Sequence, residues 1–185
     1  MAVGALMLVG LYYQPFWSIS MSAPQYPEGI GMYIHIDDVK GHNRHDLQSI
    51  NTLNHYIGMA EIHAEDFPEF VIMPWVIGFL IAFGLLAAIT GSMKLVITWI
   101  ALMIILGVVG LADFYMWGYD YGHNLSPDAP IKVPGMSYQP PLMGCKQLLN
   151  IKACSWPNTG SIYIGLSMIF AAGAIWFENK SKNQN

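Results

Sequence analysis

Residues 70–93 carry no charged side chain, and neither do residues 95–112. From Phe70 to Thr90 and from Leu95 to Ala112 the chain is almost continuously apolar. A helix crossing a bilayer needs about 20 such residues, because the hydrocarbon core is about 30 Å thick and each residue rises about 1.5 Å. Both runs therefore read as membrane spans. A third uncharged block lies between Lys152 and Glu178, with Ile162–Phe177 as its apolar part, at the short end of the range. A fourth opens the chain, where Met1–Tyr13 is apolar and the run ends in Gln14, Pro15, Phe16 and Trp17. A retained first helix over residues 1–17 is the expectation. The alternative is a cleaved signal leaving three spans, although the positive start and A-x-A site of such a signal are absent.

Charged residues make up 11% of the chain against about 25% in a soluble domain. That deficit excludes an ordinary soluble globule and a disordered chain. The 8 Lys and Arg are scattered, so no basic patch exists to neutralise phosphates and no nucleic-acid partner is expected. Lys94 marks the turn between the two long runs, and Lys180 and Lys182 mark the tail. Short loops rich in Lys and Arg stay in the cytoplasm. Both termini are then cytoplasmic, and the long connections are exported.

The fold expected is an all-α membrane protein. It is a four-transmembrane-helix bundle with helices at 1–17, 70–90, 95–117 and 161–177 and a cytoplasmic tail at 178–185. Two ordered exported segments, 18–69 and 118–160, form a cap. The bilayer is one partner, and the small exported segments suit docking against a protein in a membrane complex or a periplasmic enzyme.

All 6 histidines and both cysteines fall in the exported segments. Segment 18–69 holds eight carboxylates against Lys40 and Arg44, a net −6 with His neutral. Within it, Ala23–Gly29 reads as a turn-rich stretch and Met32–Ile36 as a short strand. From Asp46 the apolar positions Leu47, Ile50, Leu53 and Ile57 recur at helical spacing, and Gly58 is the natural stop. The second segment is rich in proline and reads as an extended loop. On an oxidising face Cys145 and Cys154 are expected to form a disulfide, worth about 2–3 kcal/mol by loop entropy. A Cu(I)-binding thiol pair is the alternative. No C-x-x-C-H occurs and no histidine lies in a span, so no haem is expected. No P-loop, G-x-S-x-G or H-E-x-x-H appears.

Imidazole and thioether together suit soft or borderline ions, copper above all. His55 and Met59 lie one turn apart at the end of the 46–57 helix. His123 closes the series Asp113, Met116, Asp120 and His123, whose spacings put all four on one face if the third span continues as a helix. Gly118 and Gly122 count against that continuation. Otherwise Asp113 sits in the headgroup layer and Asp120 begins a loop. The metal candidates are thus His55, Met59, His123 and Asp120, followed by His42, His45 and His63. Asn51, Asn54 and Asp113 would orient them from behind. Taken singly, a surface histidine is more often simply solvated.

The stretches Ala23-Pro24-Gln25-Tyr26-Pro27-Glu28-Gly29, His45-Asp46-Leu47, Ile50-Asn51, Leu53-Asn54-His55-Tyr56-Ile57-Gly58-Met59, Val133-Pro134-Gly135-Met136 and Tyr138-Gln139-Pro140-Pro141 carry a resemblance. Together they resemble the NosB-like family of small bacterial inner-membrane proteins of copper and nitrous-oxide-reductase gene clusters. The resemblance covers nearly the whole chain. It implies a multi-pass protein of the bacterial inner membrane with its main loops in the periplasm. It also implies copper, respiration and denitrification as setting, with no established activity to carry over. Cys145 and Cys154 lie outside the resembling stretches, which favours the structural disulfide. The leading expectation is an accessory protein handling copper for a respiratory cuproenzyme. The alternative is a non-catalytic subunit of a larger respiratory complex. Catalysis by the chain itself is less expected, because nothing fixes a substrate.

Overall fold

The computed structural model describes residues 1–182. The half outside the long apolar helices is not helical throughout, and this corrects the all-α expectation. The run Trp17-Ser18-Ile19-Ser20-Met21-Ser22-Ala23 alternates apolar and hydroxyl side chains, the pattern of a strand with one buried face. It forms β1 (Trp17–Ala23). A turn at Pro24 and Gln25 leads into β2 (Tyr26–Ile34), and β3 (Val39–Gly41) follows. The proline-rich segment contributes two more strands, β4 (Gly144–Leu148) and β5 (Ile151–Pro157). The five strands make one antiparallel sheet in the order β3-β2-β1-β5-β4.

The membrane half also departs from expectation. Among the described residues, three helices are long and apolar enough to cross a membrane, and the chain is a multi-pass membrane-associated protein. With α1 (Ala2–Met7) and α2 (Asp46–Ile57) preceding them, these are α3 (Pro68–Thr90), α4 (Met93–His123) and α5 (Thr159–Lys182). The expected first span is instead α1, prolonged by a 3-10 turn over Leu8–Tyr12. Its 11 residues reach about 16 Å, half of a bilayer core of about 30 Å. Pro15 stops it, and β1 starts two residues later. The short helix wedges between α3 and α5. Ser167 donates its hydroxyl to the Gly4 carbonyl at 2.6 Å, and Tyr12 donates to the Pro74 carbonyl at 2.6 Å.

The lower core gathers Leu8, Leu11, Ile77, Leu80, Trp99 and Ala171. Trp99 is fully buried, and its indole N–H donates to the Leu80 carbonyl at 2.7 Å. The outward faces of the long helices leave Val71, Trp75, Phe79, Ile89, Val108 and Ile169 exposed, as lipid-facing positions are.

All four connections between sheet and helices lie at one end of the bundle, whereas Gly91 and Lys182 mark the other. With 31 residues, α4 spans about 46 Å and overruns the membrane. Its upper part stands against the sheet through an aromatic stack. Trp17 meets Phe114 at 5.5 Å, and Trp117 lies 5.8 Å from Phe67 and 4.9 Å from Tyr121. The helix does pass through Gly118 and Gly122. The extended Tyr138–Pro141 lies against those two positions, and a Cβ on Gly122 would strike the Gln139 backbone.

Candidate functional site on the open face of the sheet

Residues opposed across antiparallel strands share a face. One face carries Trp17, Ile19, Ile30, Met32 and Val39, sealed by Ile50 of α2 and by the α4 aromatics. The Trp17 indole donates to Ser155 Oγ at 2.7 Å on the same side. The opposite face is polar and open. Its first cross-strand row is Lys40, Tyr33, Ser18 and Trp156. The second is Gly31, Ser20, Cys154 and Cys145, and the third is Ser22, Lys152 and Gln147.

His42 follows β3 and folds back over this face. Its N–H donates to the Gly31 carbonyl at 2.9 Å, and its ring covers Gly31, where a Cβ would collide with the imidazole. His42 Nε2 and the Ser18 hydroxyl lie 2.9 Å apart, and the Tyr33 ring lies 4.1 Å from the imidazole at 37°. Asp46 is buried behind it. One of its oxygens accepts from Gly31 N–H at 3.1 Å and from the Asn43 backbone and amide, each at 3.2 Å. Burial pushes the His42 pKa below its ordinary 6.5, outweighing the opposite pulls of Asp46 and the Met32 backbone. The imidazole is therefore neutral at pH 7, the form able to accept a proton or bind a metal. A depression of about 390 Å³ opens here, lined among others by Ser20, Ser22, His42, Asp46, Lys152 and Cys154.

The residues singled out from sequence fall in several places. The 46–57 helix forms as read, with Gly58 left-handed at its end (φ 82°). His55 is exposed there, edge-on to Tyr56 at 6.1 Å, and Met59 is half-buried. Asn51 and Asn54 turn their amides to backbone instead of toward ligands. Asn51 donates to the Ile62 carbonyl at 3.1 Å and accepts from Ile62 N–H at 2.9 Å, while Asn54 donates to the Ala60 carbonyl at 3.0 Å. His123 stacks on Tyr119 at 4.0 Å and holds the Tyr119 carbonyl through Nδ1 at 2.9 Å. Asp120 accepts from the Asn124 amide. His63 meets Glu61 at 3.1 Å, while His45, at the start of α2, and Asp113 are exposed. Cys145 and Cys154 form a disulfide. Among the described residues, no group of three or more His, Cys, Asp or Glu side chains is placed to hold a metal ion.

Ser18, Tyr33 and Lys152 escaped the sequence reading, as did the carboxylate of Asp46 as an acceptor. The serine alternation in β1 held the signal for Ser18. The other three depend on pairings between distant strands or on the fold-back of His42. Comparison with protein-family models, with curated proteins and with solved structures finds no match.

Proposed function

We propose that this chain is a membrane-anchored accessory protein that handles copper on the exported side, for maturation or function of a respiratory cuproenzyme of the nitrous-oxide-reductase type. One observation carries the reading beyond the sequence resemblance. The end of α2, which bears His55 and Met59, is bonded to the chain directly after His123: Ser126 N–H donates to the Gly58 carbonyl at 2.8 Å and Ile131 N–H to the Tyr56 carbonyl at 2.9 Å. The Nδ1 bond of His123 fixes its ring and leaves Nε2 for a ligand. Imidazole and thioether are a donor set that suits copper. Lys94, Lys180 and Lys182, at the opposite end in a short turn and the tail, support an exported position for the sheet. Spans without charge at 70–93 and 95–112 argue for an anchor over an ion path. The test is copper content of the detergent-purified chain. His55→Ala and Met59→Ala are expected to lower it, and a stoichiometry unchanged by both overturns the ligand assignment.

A second reading, a subunit of a larger membrane complex, draws on Gly107, Gly110, Gly165 and Gly173. Nothing lies within 4 Å of a Cβ built at any of them, so a partner helix could approach closely. Native mass spectrometry from mild detergent separates the two. Release of the chain as a monomer with no other protein counts against the subunit.

A further inference from the structure

The Cys145–Cys154 disulfide joins residues directly opposed across β4 and β5, with Cα atoms 4.0 Å apart and only nine positions apart in sequence. Those two strands are already closed into a hairpin by the turn at Leu149 and Asn150. The bond therefore ties together no elements that the hairpin does not already hold. It also lies on the polar face and away from the packed one. Cys145 is exposed on the sheet's edge strand, and Cys154 lines the depression together with His42, the carboxylates of Glu28 and Asp46, and Lys152, which stands two positions from Cys154 on the same face of β5.

We propose that this pair is a thiol–disulfide exchange site whose substrate is a dithiol-bearing protein. The proposal does not rest on the copper reading. A partner thiolate attacks the exposed Cys145 Sγ. The Cys145–Cys154 bond breaks, and Cys154 leaves as a thiolate into the depression. There the ammonium of Lys152 stabilises the negative charge. The second partner thiolate then attacks its own sulfur in the mixed disulfide and releases Cys145. The partner is oxidised to a disulfide, and this pair is reduced to two thiols, taking up the partner's two protons. The reverse sequence, with a disulfide-bearing protein as the acceptor, re-forms the Cys145–Cys154 bond and leaves that protein as a dithiol.

The test uses the full chain in detergent. It is equilibrated with glutathione buffers, and free thiols are trapped by alkylation and counted by mass. At a cytosol-like glutathione poise, where structural disulfides stay oxidised, most molecules are expected to gain two alkyl groups with the far-UV spectrum unchanged. Lys152→Gln is expected to slow exchange roughly threefold, because the leaving Cys154 thiolate loses the nearby positive charge. A pair that stays oxidised, a reduction that unfolds the sheet, or equal rates in Lys152→Gln overturns the proposal. Cys145→Ser with Cys154→Ser sets the alkylation background.

Discussion

The Ser18 hydroxyl and His42 Nε2 lie 2.9 Å apart although 24 positions separate them in the chain. The contact exists because β1 presents Ser18 on the open face and because Gly31, between them on β2, has no side chain to hold the imidazole off. Gly31→Ala would push the ring away. The expected outcome is loss of the Ser18 contact, a His42 pKa returning toward 6.5 by NMR, and destabilisation of about 1–3 kcal/mol. An unchanged pKa would count against the packing described.

The same burial makes the cap sensitive to acid. In the fold His42 has a pKa below 6.5, so the unfolded chain binds the proton first as the pH falls. The stability tied to the neutral ring is fully present above pH 6.5 and is lost as the pH drops from there toward the folded pKa. His35 has the same sign, lowered chiefly by burial and then by Lys40. Thermal midpoints are expected to fall below pH 6.5, and the fall is expected to be shallower in His42→Gln and shallowest in the double variant with His35→Gln. Parallel profiles in all three proteins would refute the assignment.

Asn51 serves the backbone of Ile62 with both ends of its amide. Asn51→Leu leaves that N–H and carbonyl without their partner. The expected cost is about 1–3 kcal/mol, with faster hydrogen exchange at Ile62. A leucine variant with wild-type exchange would show that another group replaces the amide.

Gly122 admits the extended segment that follows Val133-Pro134, and Tyr138 N–H donates to the Gly122 carbonyl at 2.9 Å. Because the obstacle to a Cβ is the Gln139 backbone, no rotamer change relieves it. Gly122→Val is expected to detach residues 138–141 from α4 and to raise their proteolysis, with the three long helices retained by far-UV dichroism.

Orientation has a direct test. Cysteines placed at Ser20 and at Ser92, in a background lacking Cys145 and Cys154, should be labelled from opposite sides of the membrane. Ser20 should react with an impermeant maleimide added outside the cell, and Ser92 only after permeabilisation. Labelling of both from one side would refute the anchor topology.

The long spans and α2 were legible in the sequence because their signals are local. The uncharged runs set α3 and α4, and the three- and four-residue repeat from Leu47 to Ile57 with Gly58 set α2. The open face was not legible. Its rows depend on β1 pairing with β5, where Trp17 opposes Pro157 and Ser20 opposes Cys154. The strands of the proline-rich segment are short, and their alternation is weak beside so many prolines. The opening apolar run showed its character but not its reach, since Pro15 and the demands of β1 stop it at about half a bilayer. Local signals, the length of the uncharged runs and the helical repeat, thus determined the long helices and α2. Only tertiary structure decided that a sheet caps them and which side chains meet on it, because strand pairing is a contact between segments whose separation no local pattern encodes.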